Sequence, residues 1–302
     1  MRHLLRFLGL FASSLLLVSL LIFSIIHLTP GDIAEIHNLS PATAAALHLD
    51  RSLPVQFVLW LRDCLTLDFG ISMVNGTKVS TLLREYAPPT LYLTFGSLFL
   101  SLLLSIPLGV YRGLRPVSRL GKALSLAVYT VSYIPIFVLG YIVLAVVFGV
   151  FEFFVTIPPE GRFRLWPWLS YYGLPVLVLA VGNGTIGEFV RFISHEVQQV
   201  NGAMFIKAAR ARGSHLWRHF FKSMILPIMS IVVTNMAVLL GGLVVVERIF
   251  NFRGLGWLSW EATLKRDFSV IMGITLVMAF IIRVFMLVND LLAVWLDPRL
   301  RE

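Results

Sequence analysis

Six apolar stretches punctuate the chain, each close to the ~20 residues that a helix needs to cross a bilayer. They run from about Leu8 to Leu28, Thr90 to Val110, Leu124 to Val150, Leu174 to Ser194, Met224 to Val246 and Phe268 to Leu291. Runs of this length predict membrane-spanning helices. Pro107, Pro135 and Gly140 fall inside them, which a span tolerates when neighbouring helices satisfy the freed backbone. The first stretch follows Arg2 and Arg6, as in a secretory leader. Its apolar run is too long for a typical leader and no small-x-small cleavage site follows, so an uncleaved span is expected. The expected fold is an all-α membrane protein of about six transmembrane helices. It has a long first outer loop (about residues 29–89) and a single domain over residues 1–302.

Composition agrees. Of 302 residues, 58% are hydrophobic and 14% charged, against roughly half and a quarter in soluble domains. Disordered chains are polar and charged, so disorder is excluded. The net charge of +9 would suggest nucleic acid in a soluble protein. Here the basic residues sit between apolar spans instead of along one face, so nucleic-acid binding is not expected and lipid is. Arg112, Arg115, Arg119 and Lys122 fill one connection, and Lys207, Arg210, Arg212, Arg218 and Lys222 another. The termini add Arg2, Arg6, Arg299 and Arg301. Positive residues stay inside, which predicts that both connections and both termini are cytoplasmic.

Catalytic and metal chemistry is not expected. The single Cys64 excludes an internal disulfide, and His27, His37 and His48 lack ligand spacing. No phosphate-cradling Walker A pattern occurs. Asp68-Phe69-Gly70 spells a kinase triplet without its companion motifs. His195-Glu196 opens like a zinc-protease motif, but Gln199 stands where the second His belongs. Gly182-Asn183-Gly184 fits close helix packing better than phosphate binding. No cofactor is implied. In the outer loop, PVQFVLWLRDCLTL reads as an amphipathic helix, with Val55, Phe57, Val58, Leu59 and Leu65 apolar. It is expected at the membrane surface or against other helices, a plain connecting loop being the alternative.

Residues 203–227 read AMFIKAARARGSHLWRHFFKSMILP. This run is polar enough to lie outside the bilayer and helical in character. Ala208 and Ala209 permit close approach of another surface, and Gly213 turns the chain. Leu216, Phe220 and Ile225 are expected to face protein, and Arg212, Arg218 and Lys222 water, with Pro227 at the entry to the fifth span. Two readings stand: a basic linker, or a docking helix for a cytoplasmic motor subunit.

Lys207-Ala208-Ala209-Arg210-Ala211-Arg212-Gly213 followed by Ile225-Leu226-Pro227 resembles the EAA-type motif of the membrane subunit of binding-protein-dependent ABC importers, in the peptide/nickel permease family. Further fragments, in order, extend the resemblance along nearly the whole chain. They are LDRSLPVQF (Leu49 to Phe57), LDFGIS (Leu67 to Ser72), PPTLYL (Pro88 to Leu93), SYIPIFVLG (Ser132 to Gly140), ERIFNFRGLG (Glu247 to Gly256) and the closing LDPRLRE. Two features depart from the pattern. Lys207 replaces an acidic residue of the broader motif, and the stretch from Gly213 to Pro227 is about one helical turn short.

The resemblance implies an importer permease for small peptides or chelated nickel, a metallophore included, in the bacterial inner membrane. Its implied partners are a second homologous permease subunit, two cytoplasmic ATP-binding subunits and an extracytoplasmic substrate-binding protein. It also implies that Lys207, Ala208, Ala209, Arg210, Arg212, Gly213, Leu226 and Pro227 couple to the ATPase, in a helix over residues 203–223. Glu247, Arg248 and Arg253 follow the fifth span on the outer face, as contacts for the binding protein, a gate or a hydrated turn. Arg283 lies deep in the last span, where a charge normally faces the bundle interior or a partner. It is expected either to pair with Asp290 two turns on or to line the substrate path. Glu188 and Arg191 read as an interfacial pair. An ion-coupled secondary carrier or an intramembrane enzyme is the alternative function, although no inverted repeat is evident.

Overall fold

A computed structural model of the chain describes residues 2–30, 37, 40–151, 168–213 and 216–296. Among the described residues the regular elements are helical, apart from one antiparallel bridge between Ile71 and Lys78. Five helices are long and apolar enough to span a membrane, and a sixth crossing results if one bent pair counts as a span. In chain order the helices are α1 (Arg2–His27), α2 (Pro41–Ala46), α3 (Leu53–Leu65), α4 (Val79–Leu114), α5 (Arg119–Ser132) and α6 (Ile136–Phe151). After them come α7 (Leu174–Val181), α8 (Thr185–Gly202), α9 (Met204–Ala211), α10 (Leu216–Ile249), α11 (Leu255–Leu264) and α12 (Phe268–Leu296).

The first, second, fifth and sixth expected spans lie in α1, α4, α10 and α12. The third and fourth are broken. α5 and α6 meet at 99°. Pro135 at this corner has no N–H to donate, and its ring pushes the preceding residue out of the helical region. α7 and α8 are separated at Gly182–Gly184, where Asn183 has φ 54° and Gly184 φ 80°.

The chain folds as two compact units, residues 1–90 with 253–288 and residues 91–252 with 289–302. In the first unit, Phe69, Val79, Leu83, Leu255, Leu258, Val270 and Ile274 form a buried cluster. α3 turns Gln56 and Cys64 inward, while Val55, Val58 and Leu65 stay exposed. His48 bonds Asp63 at 2.8 Å. That bond, with Arg62 adding to it, holds the Asp63 carboxyl below its ordinary value despite the opposing effect of desolvation. Burial pushes the Cys64 thiol up to about 12.

Two sequence fragments singled out above acquire a physical role here. Ser72, which ends LDFGIS, donates its hydroxyl to the buried Asp267 just ahead of α12, and Met73 N–H donates to the same carboxylate at 3.1 Å. Thr90, in PPTLYL, accepts the Leu255 N–H at 2.7 Å, satisfying one of the donors that a helix start leaves free.

In the second unit, α4 carries a small residue at every fourth position: Ser97, Ser101, Ser105, Gly109 and Gly113. This spacing puts them on one face. The three hydroxyls are fully buried and donate to Val176 O (3.1 Å), Ala180 O (3.1 Å) and Ile186 O (3.3 Å). At Gly109 and Gly113 the backbone lies against Ile193 and Val197 of α8. Small residues allow such close approach, and hydroxyl-to-carbonyl bonds add roughly 0.6 kcal/mol each in membrane helices.

Candidate functional site

α8 ends at Gly202, and Ala203 adopts an extended conformation (ψ 143°) that turns the chain. The Ala203 carbonyl then accepts from Ile206 N–H (3.1 Å) and Lys207 N–H (3.2 Å), opening α9. α9 packs against both α8 and α10. Ile206 is fully buried, whereas Met204 is 80% and Phe205 48% exposed, with Lys207 and Ala208 exposed beside them. At the far end Arg212 returns both its backbone N–H and Nε to the Ala208 carbonyl. Gly213 has φ 66°, a conformation that glycine reaches without a Cβ penalty.

The docking helix expected over 203–223 is therefore shorter. It stops at Ala211 because the turn at Arg212–Gly213 ends it, and the long α10 starts at Leu216. Leu226 and Pro227 lie inside α10, so Pro227 does not mark the entry of a helix. The side chains of Ala209 and Arg210, and the facings expected of Leu216, Arg218, Phe220 and Lys222, lie outside the described residues. So does the closing segment with Arg299 and Arg301.

The outer-gate candidates separate. Glu247 is completely buried near the end of α10, and its carbonyl accepts the Phe252 N–H at 2.8 Å. Its carboxylate is not on the surface of this chain. Arg248 is exposed, and Arg253 is exposed with its guanidinium 5.9 Å from the Trp257 ring centre. Arg283, half-buried in α12, directs Nη1 at the Met286 sulfur (3.4 Å), and its Nε has no partner among the described residues. Sequence reasoning missed the exposed Met204–Phe205 pair, the Ser72–Asp267 anchor and the small-residue face of α4. The last was legible in the Ser/Gly spacing of four.

Two interrupted spans and a short helix between a corner and a turn mark a membrane component whose crossings are not simple straight helices. The family described as "Binding-protein-dependent transport system inner membrane component" matches residues 105–302. The chain belongs to this family. It is similar to the oligopeptide transport system permease protein AppB of Bacillus subtilis, 32% identical over 254 residues, covering 82% of this chain and 80% of that protein. It is also similar to the nickel import system permease protein NikB of Staphylococcus aureus, 30% identical over 302 residues, covering 95% of this chain and 88% of that protein. This permease is thus an ABC importer subunit of the peptide/nickel family, an inner membrane component whose relatives are transport subunits and not enzymes.

Proposed function

We propose that this permease forms half of a translocation path for small peptides or chelated nickel, and that α9 is its ATPase-docking helix. The second half is a homologous permease subunit. Two cytoplasmic ATP-binding subunits supply the work, and an extracytoplasmic binding protein delivers the solute. The charge distribution supports cytoplasmic termini and a cytoplasmic α9, and residues 1–302 act as one permease domain.

One observation carries the docking assignment. α9 is an eight-residue helix set off by Ala203 and Gly213, anchored inward by Ile206, and it presents Met204, Phe205 and Ala208 outward. A short amphipathic helix of this kind fits a groove on a partner. Lys207 and Arg212 flank the contact. Gly213→Leu places a branched side chain at φ 66°, at a strain of roughly 1 kcal/mol or more. In proteoliposomes holding the whole importer, this variant is expected to keep ATP hydrolysis and lose most uptake. Normal uptake per ATP would remove the assignment.

A further inference from the structure

The two broken spans of the second unit open on one cleft of about 450 Å³, within the roughly 300–1,000 Å³ typical of small-molecule sites. Ser132, Tyr133, Asn183, Gly187, Glu188 and Arg191 line it. Three features there are unexplained by packing. Ser132 is 8% exposed, yet its hydroxyl has no partner among the described residues. Glu188 and Arg191 are exposed and belong to no ion pair or hydrogen bond among the described residues. Buried hydroxyls are normally bonded, and charges in a membrane protein normally pair or face a path.

The backbone adds to this. α5 ends at Ser132, with the Tyr129 and Val131 carbonyls accepting the Tyr133 and Ile134 N–H groups, while α8 starts beside it at Thr185 with no side-chain cap. Helix breaks that meet at one place in a membrane protein are the construction that binds polar solutes. The two parts are close: a Cβ on Gly187 would lie 3.0 Å from Ser132 Oγ.

We propose that this cleft is a station on the solute path that takes a small zwitterion, with an ammonium at Glu188 and a carboxylate at Arg191. The two residues are one helical turn apart, about 5–6 Å between Cβ atoms. That matches the termini of an extended dipeptide, at roughly 3.5 Å per residue. Between them, the unpartnered Ser132 hydroxyl meets the amide of such a solute. A peptide with free ends satisfies every group named. A single-signed solute leaves one charge unpaired, and an uncharged one leaves both. This assignment rests on the reading of the chain as a peptide or metallophore permease and narrows its substrate class.

The test uses the assembled importer without its binding protein, so that this chain's own preference is read. Ser132→Cys introduces a thiol into the cleft, and Cys64 is buried and slow to react. Maleimide labelling of this chain is followed while dialanine, N-acetyl-dialanine or alanyl-alaninamide is added. Dialanine is expected to protect the thiol. Glu188→Gln is expected to raise the dialanine concentration for half-protection about tenfold, the loss of one charge-assisted contact, and to leave N-acetyl-dialanine unaffected. Arg191→Gln is expected to do the same for dialanine and to leave alanyl-alaninamide unaffected.

Equal protection in all three backgrounds, or none, overturns the site. So does dissociation of the permease pair by either variant on size exclusion, which would make the charges a subunit contact. The broader reading fails separately. It falls if the complete wild-type importer in proteoliposomes shows no ATP-dependent uptake of dialanine or of chelated nickel, whatever the labelling shows.

Discussion

Gly113→Ala adds one methyl group where two helices nearly touch. The new Cβ would lie 2.5 Å from Val197 Cβ, 2.6 Å from Val197 Cγ1 and 2.8 Å from the Ser194 carbonyl. Carbon atoms prefer about 3.5–4.0 Å, so the C-terminal end of α4 must retreat from α8 by about 1 Å. Neither obstacle can yield alone. The Ser194 oxygen is backbone, and a valine in a helix has one strongly preferred rotamer. The retreat also loosens Gly109 against Ile193, where a Cβ would lie only 2.7 Å away. Overpacking of this kind costs about 1–3 kcal/mol, offset by the ~1 kcal/mol that alanine gains over glycine within a helix. The net loss, about 0–2 kcal/mol with the direct clash favouring the upper end, corresponds to a change of up to roughly 30-fold in the folded population. The assay is the rate of thermal inactivation in detergent, with Gly9→Ala as control, since nothing lies within 4 Å of that position. Gly113→Ala is expected to inactivate several-fold faster than wild type and Gly9→Ala no faster. Equal lifetimes for Gly113→Ala and wild type would refute the close-packing argument.

Asp267→Asn weakens the acceptor of Ser72 and Met73; charged acceptors contribute about 1.5–3 kcal/mol each, so proteolysis within residues 72–77 is expected to accelerate several-fold, and Ser72→Ala to produce a smaller part of the effect. Cys64, with its thiol pushed up to about 12 by burial, is expected to resist iodoacetamide at pH 8–9 in the folded protein and to react after unfolding; rapid native-state labelling would contradict the burial. Because folding raises this pKa above the ordinary thiol value of 9.0, its contribution is fully present below pH 9 and is lost as pH rises toward 12. An alkaline melting series on wild type and Cys64→Ala should therefore show a steeper loss of stability for wild type above pH 9.

Apolar run length alone made the spans legible, because the bilayer imposes one dominant constraint on composition. It did not reveal how spans three and four are interrupted. Hydropathy sums over a window and is blind to a corner, so Leu124 to Val150 reads as one span although Ser132 and Ile136 end and begin helices meeting at 99°. Pro135 and the Gly182–Gly184 run were visible, but a proline or glycine within a span is compatible with a straight helix as well as a broken one. The segment proposed to dock was picked out by its charge and small residues, while the length of its helix was overread. Helical sequence character continues on both sides of Gly213, and the positive φ there is not visible in it. Burial of Glu247 was illegible for a related reason: a carboxylate next to two arginines reads as surface, and only the three-dimensional packing puts it inside.

The arrangement of the second unit explains why these details matter for transport. α8 joins α9 at one end to the interrupted segment Gly182–Gly184 at the other. Its 18 residues span about 27 Å at 1.5 Å per residue. Along that length Ile193 and Val197 lie against the glycines of α4, and Ile186 accepts a hydroxyl from Ser105. A helix held so closely moves with its neighbour as one body, since packed interfaces shift between discrete arrangements and do not deform continuously. If α9 receives the motor's displacement as proposed, the place to absorb it is where the backbone is already non-helical, at Asn183 and Gly184, which line the cleft with Glu188 and Arg191. On that proposal the close α4–α8 contact transmits the movement and the break beyond it takes it up. Loosening the contact by Gly113→Ala should reduce solute moved per ATP as well as lifetime, whereas a change that destabilises the first unit alone, such as Ser72→Ala, should leave that ratio intact.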